Sequence, residues 1–313
     1  EIFSVNKIYF FFFISVMFHT TVVEGKGGYN VWSKEKIRYL NSRIISDPYN
    51  PQLHLLLANA LIEEDRKHEA KQSLRVAINL DSTFAEAYCN LAVVLHSQGY
   101  FDEARFNYEK ALGLDSLIIE ARAGLGTLLC RGKDPVQGLN YLEKVIESDP
   151  KHSGALYNMA VAYHKIADFK RSIKHLEFLM SFDPDYPGAR TSLARSYYSL
   201  GLVRLQAEQL DLAINLLKNA VFHEKDKSNM HFALGLAYLA SEKLLEAEVA
   251  FLLALETEPD YIPALHNLAT VYELLGRQVD ADKVYLRVSE LAPHMTTIEL
   301  IKHAKYDVKY LVE

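Results

Sequence analysis

Ala85-Glu86-Ala87-Tyr88-Cys89-Asn90-Leu91-Ala92-Val93-Val94-Leu95-His96-Ser97-Gln98-Gly99 runs directly into Tyr100-Phe101-Asp102-Glu103-Ala104-Arg105-Phe106-Asn107-Tyr108-Glu109-Lys110-Ala111. In the first segment Tyr88, Leu91, Ala92 and Leu95 recur every three or four residues, and in the second Ala104, Tyr108 and Ala111 do the same. That spacing gathers each set on one face of an α-helix. Gly99 lies between them, where a helix can end and the chain reverse. The stretch reads as a helical hairpin, which cannot bury its apolar faces alone and needs neighbours of the same kind.

The neighbours are present. A proline recurs in one context, at Ser148-Asp149-Pro150, Phe182-Asp183-Pro184, Thr257-Glu258-Pro259 and Leu291-Ala292-Pro293, and the first two and the last two are each 34 residues apart. From Ile262 the slots of the opening stretch hold Leu265, Leu268-Ala269, Tyr272, Gly276, Ala281, Tyr285 and Pro293. From Ser228 they hold His231, Leu234-Gly235, Tyr238, Ala247, Phe251, Ala254 and Pro259. Weaker copies start at Pro51 (Leu57-Ala58, Ala70, Leu74), Ile119 (Leu125-Gly126, Gly138, Leu142) and Ser153 (Met159-Ala160, Tyr163, Leu176). Small residues such as Ala92, Gly126 and Gly235 let helix backbones approach, while Leu, Tyr and Phe fill the space between pairs.

The period and its pattern of Leu-Gly or Leu-Ala, aromatic, Ala and Pro resemble the tetratricopeptide repeat. The resemblance covers residues 51–295 and implies an all-α, right-handed superhelical solenoid of antiparallel helix pairs. Its seven repeats would occupy 51–84, 85–118, 119–152, 153–186, 187–227, 228–261 and 262–295. An amphipathic helix with Ile37, Leu40 and Ile44 on one face makes 33–50 an N-terminal half-repeat, after a linker over 26–32. Thr296-x-x-Glu299 is a capping box opening a C-terminal capping helix over 296–313.

One copy breaks the period. From Pro187, Leu193-Ala194 and Tyr197 lead to Gly201 in the turn slot, but the second half resumes at Ala213, Leu217 and Ala220, seven residues late. The intervening Leu202-Val203-Arg204-Leu205-Gln206-Ala207-Glu208-Gln209 has no Gly or Pro. Seven residues are close to two helical turns, so that composition predicts longer paired helices that project roughly one turn beyond their neighbours.

Charge is balanced at 34 basic against 40 acidic residues, interleaved and without a basic stripe, which disfavours nucleic acid as a partner. Lys7 followed by the apolar run Ile8–Phe18 and by Val23-Glu24-Gly25 describes a secretory signal peptide over 1–25. A non-native N-terminal segment is an alternative, since the chain opens on Glu1, as is a membrane anchor, although the run is short for a span. The expected compartment is cytoplasmic, or the secretory pathway and ER lumen if the signal peptide is genuine.

Chemistry is sparse. Gly25-Lys26-Gly27-Gly28 lacks the spacing of a phosphate-binding loop, and the 12 histidines show no metal-ligand spacing. No cofactor, metal or catalytic residue is implied, and Cys89 and Cys130 are placed too far apart for a disulfide. The resemblance implies a concave face lined by first helices, with the residue before the Leu-Gly or Leu-Ala pair pointing into it. Those residues are Asn90, Asn158 and Asn267, with Asn59 one turn displaced. His96, Thr127, Arg131, Tyr157, His164, Lys165, Arg195 and Tyr198 are expected to share the face, followed by Phe232, Leu236 and Leu239. The apolar members suggest a largely non-ionic ligand. A clamp for the acidic tails of chaperones needs cations where this chain has Leu55, Glu120 and Gly124, so that partner is not expected. The function expected is a non-catalytic scaffold or adaptor holding a peptide or helix of a partner protein. The alternatives are a substrate-recruiting arm of a larger enzyme such as a glycosyltransferase, or a lumenal holdase.

Overall fold

The computed structural model describes residues 28–293 apart from 133, with side chains from Lys34 onward. They form 15 α-helices packed in consecutive pairs. The helices fall into two compact units with the break between Ala121 and Arg122. The first unit holds α1 (Gly28–Ser46), α2 (Pro51–Glu63), α3 (Lys67–Leu80), α4 (Ala85–Ser97) and α5 (Phe101–Leu114), and the break falls inside α6 (Ile119–Arg131). The second unit continues with α7 (Pro135–Ser148), α8 (Ser153–Lys165), α9 (Phe169–Phe182), α10 (Ala189–Gln206) and α11 (Leu210–His223). It ends with α12 (Ser228–Ala240), α13 (Leu244–Thr257), α14 (Ile262–Leu274) and α15 (Gln278–Leu291). Residues 1–25 and 296–313, expected as signal peptide and capping helix, lie outside the described residues. α1 starts at Gly28, so most of the expected linker over 26–32 is helical.

Six hairpins turn through one residue in the left-handed region: Asp65, Gly99, Ala167, Glu208, Glu242 and Gly276, with φ between 56° and 83°. At Gly99 this lets Tyr100 N–H reach back to Leu95 O at 3.0 Å and closes the first helix. Only two of the six are glycine. The other four hold a conformation that costs an L-residue about 1–2 kcal/mol. Between pairs the carboxylates of Asp81, Asp115 and Asp149 accept the backbone N–H two residues on, at 2.9, 2.9 and 3.1 Å. These turns lead the chain into the next helix.

Packing follows from a small residue facing a large one. The small members are Ala58, Ala92, Gly126, Ala160, Gly201, Gly235 and Ala269 on first helices. The large ones, sixteen residues on, include Leu74, Tyr108, Leu142, Leu176, Leu217 and Phe251, which are at most 2% exposed. Burying each such side chain contributes about 1.5–3 kcal/mol. Within each unit every second helix packs on its chain neighbours, whereas first helices also touch each other: α2 with α4, α8 with α10, α10 with α12, and α12 with α14. First helices therefore adjoin one another, α2 with α4 in the first unit and α8 through α14 in the second.

The long repeat differs from its sequence-based reading. The other first helices of the repeats have 13 residues and the second helices 14; α10 has 18, but α11 has the ordinary 14. Gly201 is not in the turn. It lies inside α10, where a Cβ would meet Leu217 at 2.8 Å, as at Gly126 against Leu142 (2.9 Å) and Gly235 against Phe251 (2.5 Å). Toward α11, then, the repeat is counted from Ala194. Toward the preceding repeat it is counted from Pro187, because Tyr197 Oη donates to Glu177 just as Tyr163 Oη, in the equivalent slot, donates to Glu143, each partner twenty residues earlier. One straight helix carries both frames because seven residues are nearly two turns. The added length is at the N-terminal end of α10, where Ala189 and Leu193 are buried with Leu156, Leu176 and Leu179.

Candidate functional site

In the first unit Asn59 and Asn90 sit half-buried on adjacent first helices, with Asn90 Nδ2 donating to Asn59 Oδ1 at 2.8 Å. The pair retains one amide donor edge and one carbonyl acceptor edge, the complement of an extended peptide backbone. His96 packs edge-on to Phe101 and Tyr108, its ring centroid 5.7 and 6.4 Å from theirs. Leu55 is buried and Glu120 exposed.

In the second unit the expected residues separate. Phe232 and Leu236 are 4% exposed and Asn267 is 2% exposed, so they belong to the core and not to a solvent-facing lining. Tyr198 is buried in the same core. α12 packs against α10, α11, α13 and α14 at once, and its composition is apolar all round, as such a position requires. With Phe232 and Leu236 inside, the lining no longer favours a non-ionic ligand. Asn267 Nδ2 donates to Pro263 O at 2.8 Å, and Asn158 Nδ2 to Gly154 O at 2.7 Å, each within its own helix. Thr127 is half-buried on α6.

Tyr157, His164 and Arg195 do come together. Between α8, α9 and α10 lies a polar pocket of about 30 Å³, lined by His164, Ser172, Ser192, Arg195 and Ser196 with Ala160 and Val161. Ser172 and Ser196 are buried, with their Oγ atoms 2.9 Å apart. Ser172 Oγ donates to Ala160 O at 2.8 Å, and His164 Nδ1 is 3.1 Å from Ser196 Oγ. Ser192 Oγ donates to Tyr157 Oη at 3.4 Å, and the Tyr157 ring centroid is 5.2 Å from that of Tyr186. Burial, and then the Arg195 guanidinium, hold the His164 pKa below its ordinary value, since both disfavour the imidazolium. Gly188 precedes α10 with φ +79°, and a Cβ there would lie 2.9 Å from Tyr157 Oη. Glycine is needed there for both reasons. Lys165 turns away from the pocket and caps the C-terminus of α6, its Nζ reaching Gly132 O at 2.5 Å, where a cation is favoured. The three serines were not singled out by sequence reasoning. A signal existed at Ser172, which occupies a slot filled by alanine at Ala70, Ala104, Ala213, Ala247 and Ala281.

Cys89 and Cys130 are buried free thiols, raised by burial to about 12 and about 11. Thiols held protonated in this way are inert. Among the described residues no group of His, Cys, Asp or Glu is placed to hold a metal ion, and no helix is long and apolar enough to cross a membrane.

Sequence models of the tetratricopeptide repeat match residues 51–84 and 85–116, 141–174, 198–262 and 264–299. The chain belongs to the tetratricopeptide repeat family. It is 23% identical over 146 residues to anaphase-promoting complex subunit 3 of Schizosaccharomyces pombe, covering 45% of this chain and 22% of that protein. It is 29% identical over 125 residues to the human protein O-mannosyl-transferase TMTC3, covering 39% of this chain and 14% of that protein. The matches therefore span less than a quarter of either relative. Among solved structures, YrrB, a TPR protein with an unusual peptide-binding site, superposes with a TM-score of 0.51 at 21% identity, over 65% of this chain and 97% of its own. That likeness is one of fold. Tetratricopeptide-repeat proteins bind other proteins.

Proposed function

We propose that the chain is a non-catalytic scaffold that holds a peptide segment or helix of a partner protein along its first-helix faces. The observation that carries this reading is the Asn59–Asn90 amide pair, which bridges two neighbouring first helices at 2.8 Å. It keeps a donor and an acceptor for a backbone of any sequence. The test is selection of binders from a displayed library of random 12-residue peptides on the full chain, followed by affinity measurement on the double variant Asn59→Ala/Asn90→Ala. Losing two neutral hydrogen bonds of about 1 kcal/mol each weakens binding roughly tenfold or more. Failure to select any peptide, or equal affinity in the variant, removes the reading.

A second reading is that the chain is the substrate-recruiting arm of a larger enzyme. It is supported by the match to TMTC3 over 125 residues. Peptides selected on this chain that also react faster as acceptors for a linked transferase would favour it over a free-standing adaptor.

A further inference from the structure

In the slot where second helices cross first helices, Ala70, Ala104, Ala213, Ala247 and Ala281 are fully buried, but the fourth repeat places Ser172 there, equally buried. A buried hydroxyl gains little over a methyl even when bonded and is costly when it is not. Packing alone does not explain it. Its partner Ser196, with Arg195, lies just past the N-terminal extension of α10 and Ser192 lies within it, so the added length borders the pocket.

The charge at the pocket is equally unlike its surroundings. The molecule carries 40 acidic residues against 34 basic, and several arginines are taken up by carboxylates: Arg66 by Glu69, Arg171 by Asp168, Arg277 by Glu248, Arg287 by Asp260, at 2.6–2.8 Å. Arg195 is exposed at the pocket mouth and makes no ion pair among the described residues. Arg131 on α6 is exposed, makes none either, and acts on the Tyr186 hydroxyl, whose ring stands against Tyr157. Asp183, the carboxylate that acts on the same tyrosine, accepts from Ser153 Oγ.

We propose that this pocket receives the carboxylate of an acidic side chain of the bound peptide, paired with the Arg195 guanidinium, the Ser192 hydroxyl turning from its present acceptor Tyr157 Oη at 3.4 Å to donate to it. The inference rests on the reading of the chain as a peptide-binding scaffold and names what that peptide must carry. The pocket holds about 30 Å³, whereas a single water needs roughly 10–15 Å³. The pocket therefore has room for a small polar group such as a carboxylate. The planar guanidinium matches a carboxylate with two parallel hydrogen bonds. The site differs from a clamp for a C-terminal tail over the first repeats, where Leu55, Glu120 and Gly124 stand in place of cations.

The experiment uses an array of 12-residue peptides based on the selected binders, each synthesised with Glu, Gln or phosphoserine at every position in turn. It is probed with the full chain, with Arg195→Gln and, as a control, with Arg105→Gln, a residue of the first unit that does not line the pocket. At one position Glu should be preferred over Gln by roughly tenfold, a charge-assisted pair against a neutral one. Arg195→Gln should erase that preference, and Arg105→Gln should leave it unaltered. Equal binding of Glu and Gln everywhere, or a preference that survives Arg195→Gln, overturns the inference while the scaffold reading stands. A preference for phosphoserine over Glu overturns the assignment to a carboxylate. If no peptide binds at all, the scaffold reading falls and this inference with it.

Discussion

At Gly235 there is no room for a methyl group, because a Cβ would lie 2.5 Å from Phe251 Cε1 and 2.7 Å from Cδ1. At Gly113, in the last turn of α5, a Cβ would meet nothing within 4 Å. The same substitution should therefore have opposite signs. Gly235→Ala is expected to destabilise by about 1–3 kcal/mol through overpacking, and Gly113→Ala to stabilise by up to about 1 kcal/mol through helix propensity. Urea unfolding with an unchanged m-value reads both. Protonation is the other residue-scale lever. Burial holds the pKa values of His164, His175, His223 and His266 below the ordinary value, and the Nδ1 atoms of His223 and His266 are buried without a partner. As pH falls below about 6.5 the unfolded chain takes up protons that the folded chain resists, so stability present above that pH is lost through the folded pKa values. The melting temperature is expected to fall between about pH 7.5 and about pH 5.5, above the range in which the lowered carboxylates Glu69, Asp81 and Asp168 titrate. A flat profile would contradict the burial of these rings as neutral groups.

The unusually long helix α10 shows what a linear reading resolves and what it does not. Extra residues in the fifth repeat and the preserved phase were legible from the absence of Gly and Pro and from a seven-residue offset, but of the stretch 202–209 only 202–206 is helical and 207–209 forms the turn. The position of the extra residues was not legible, because Leu193-Ala194 and Leu200-Gly201 are both valid Leu-small pairs, and only contact with Leu217 chooses the second for α11. The same ambiguity makes an experiment. Removing 187–193 or removing 202–208 should each restore a 34-residue repeat, since the two differ only in which frame survives. Both shortened chains are expected to fold with unchanged fractional helicity by circular dichroism. Only removal of 202–208 keeps Ser192, Arg195 and Ser196 against His164, so only that chain should retain the preference for Glu. Unfolding of both would show that the length is structurally required.

Across the molecule, the fold was legible because a repeated motif states itself many times and a weak copy is corrected by its neighbours. The candidate site was less so. Phe232, Leu236 and Asn267 sit on first helices as Asn90 does, yet the apolar surroundings of α12 and α14 take them inside. Slot identity fixes direction from the helix axis, whereas exposure depends on what the neighbouring helices bring. Those neighbours are local, because among the described residues of each unit a helix touches only those one or two places away along the chain. Stability should then be a sum of repeat and interface contributions. A chain lacking 262–313 is expected to keep its remaining helices folded, with a lower denaturation midpoint and no loss of helicity per remaining residue. Loss of all structure would mean that the array is cooperative well beyond nearest neighbours.

The doubled frame of α10 bears on how such an array changes over time. One element there serves two different neighbours, each with its own phase, and the packing on either side is the ordinary one. Seven residues of helix rise by about 10 Å. A gain or loss of that length shifts the reach of groups on the inner face relative to the next repeat, while every buried slot finds an equivalent occupant. The spacing of contacts along a bound chain can then be altered in discrete steps, by insertion at a first helix, with the scaffold itself left as it was.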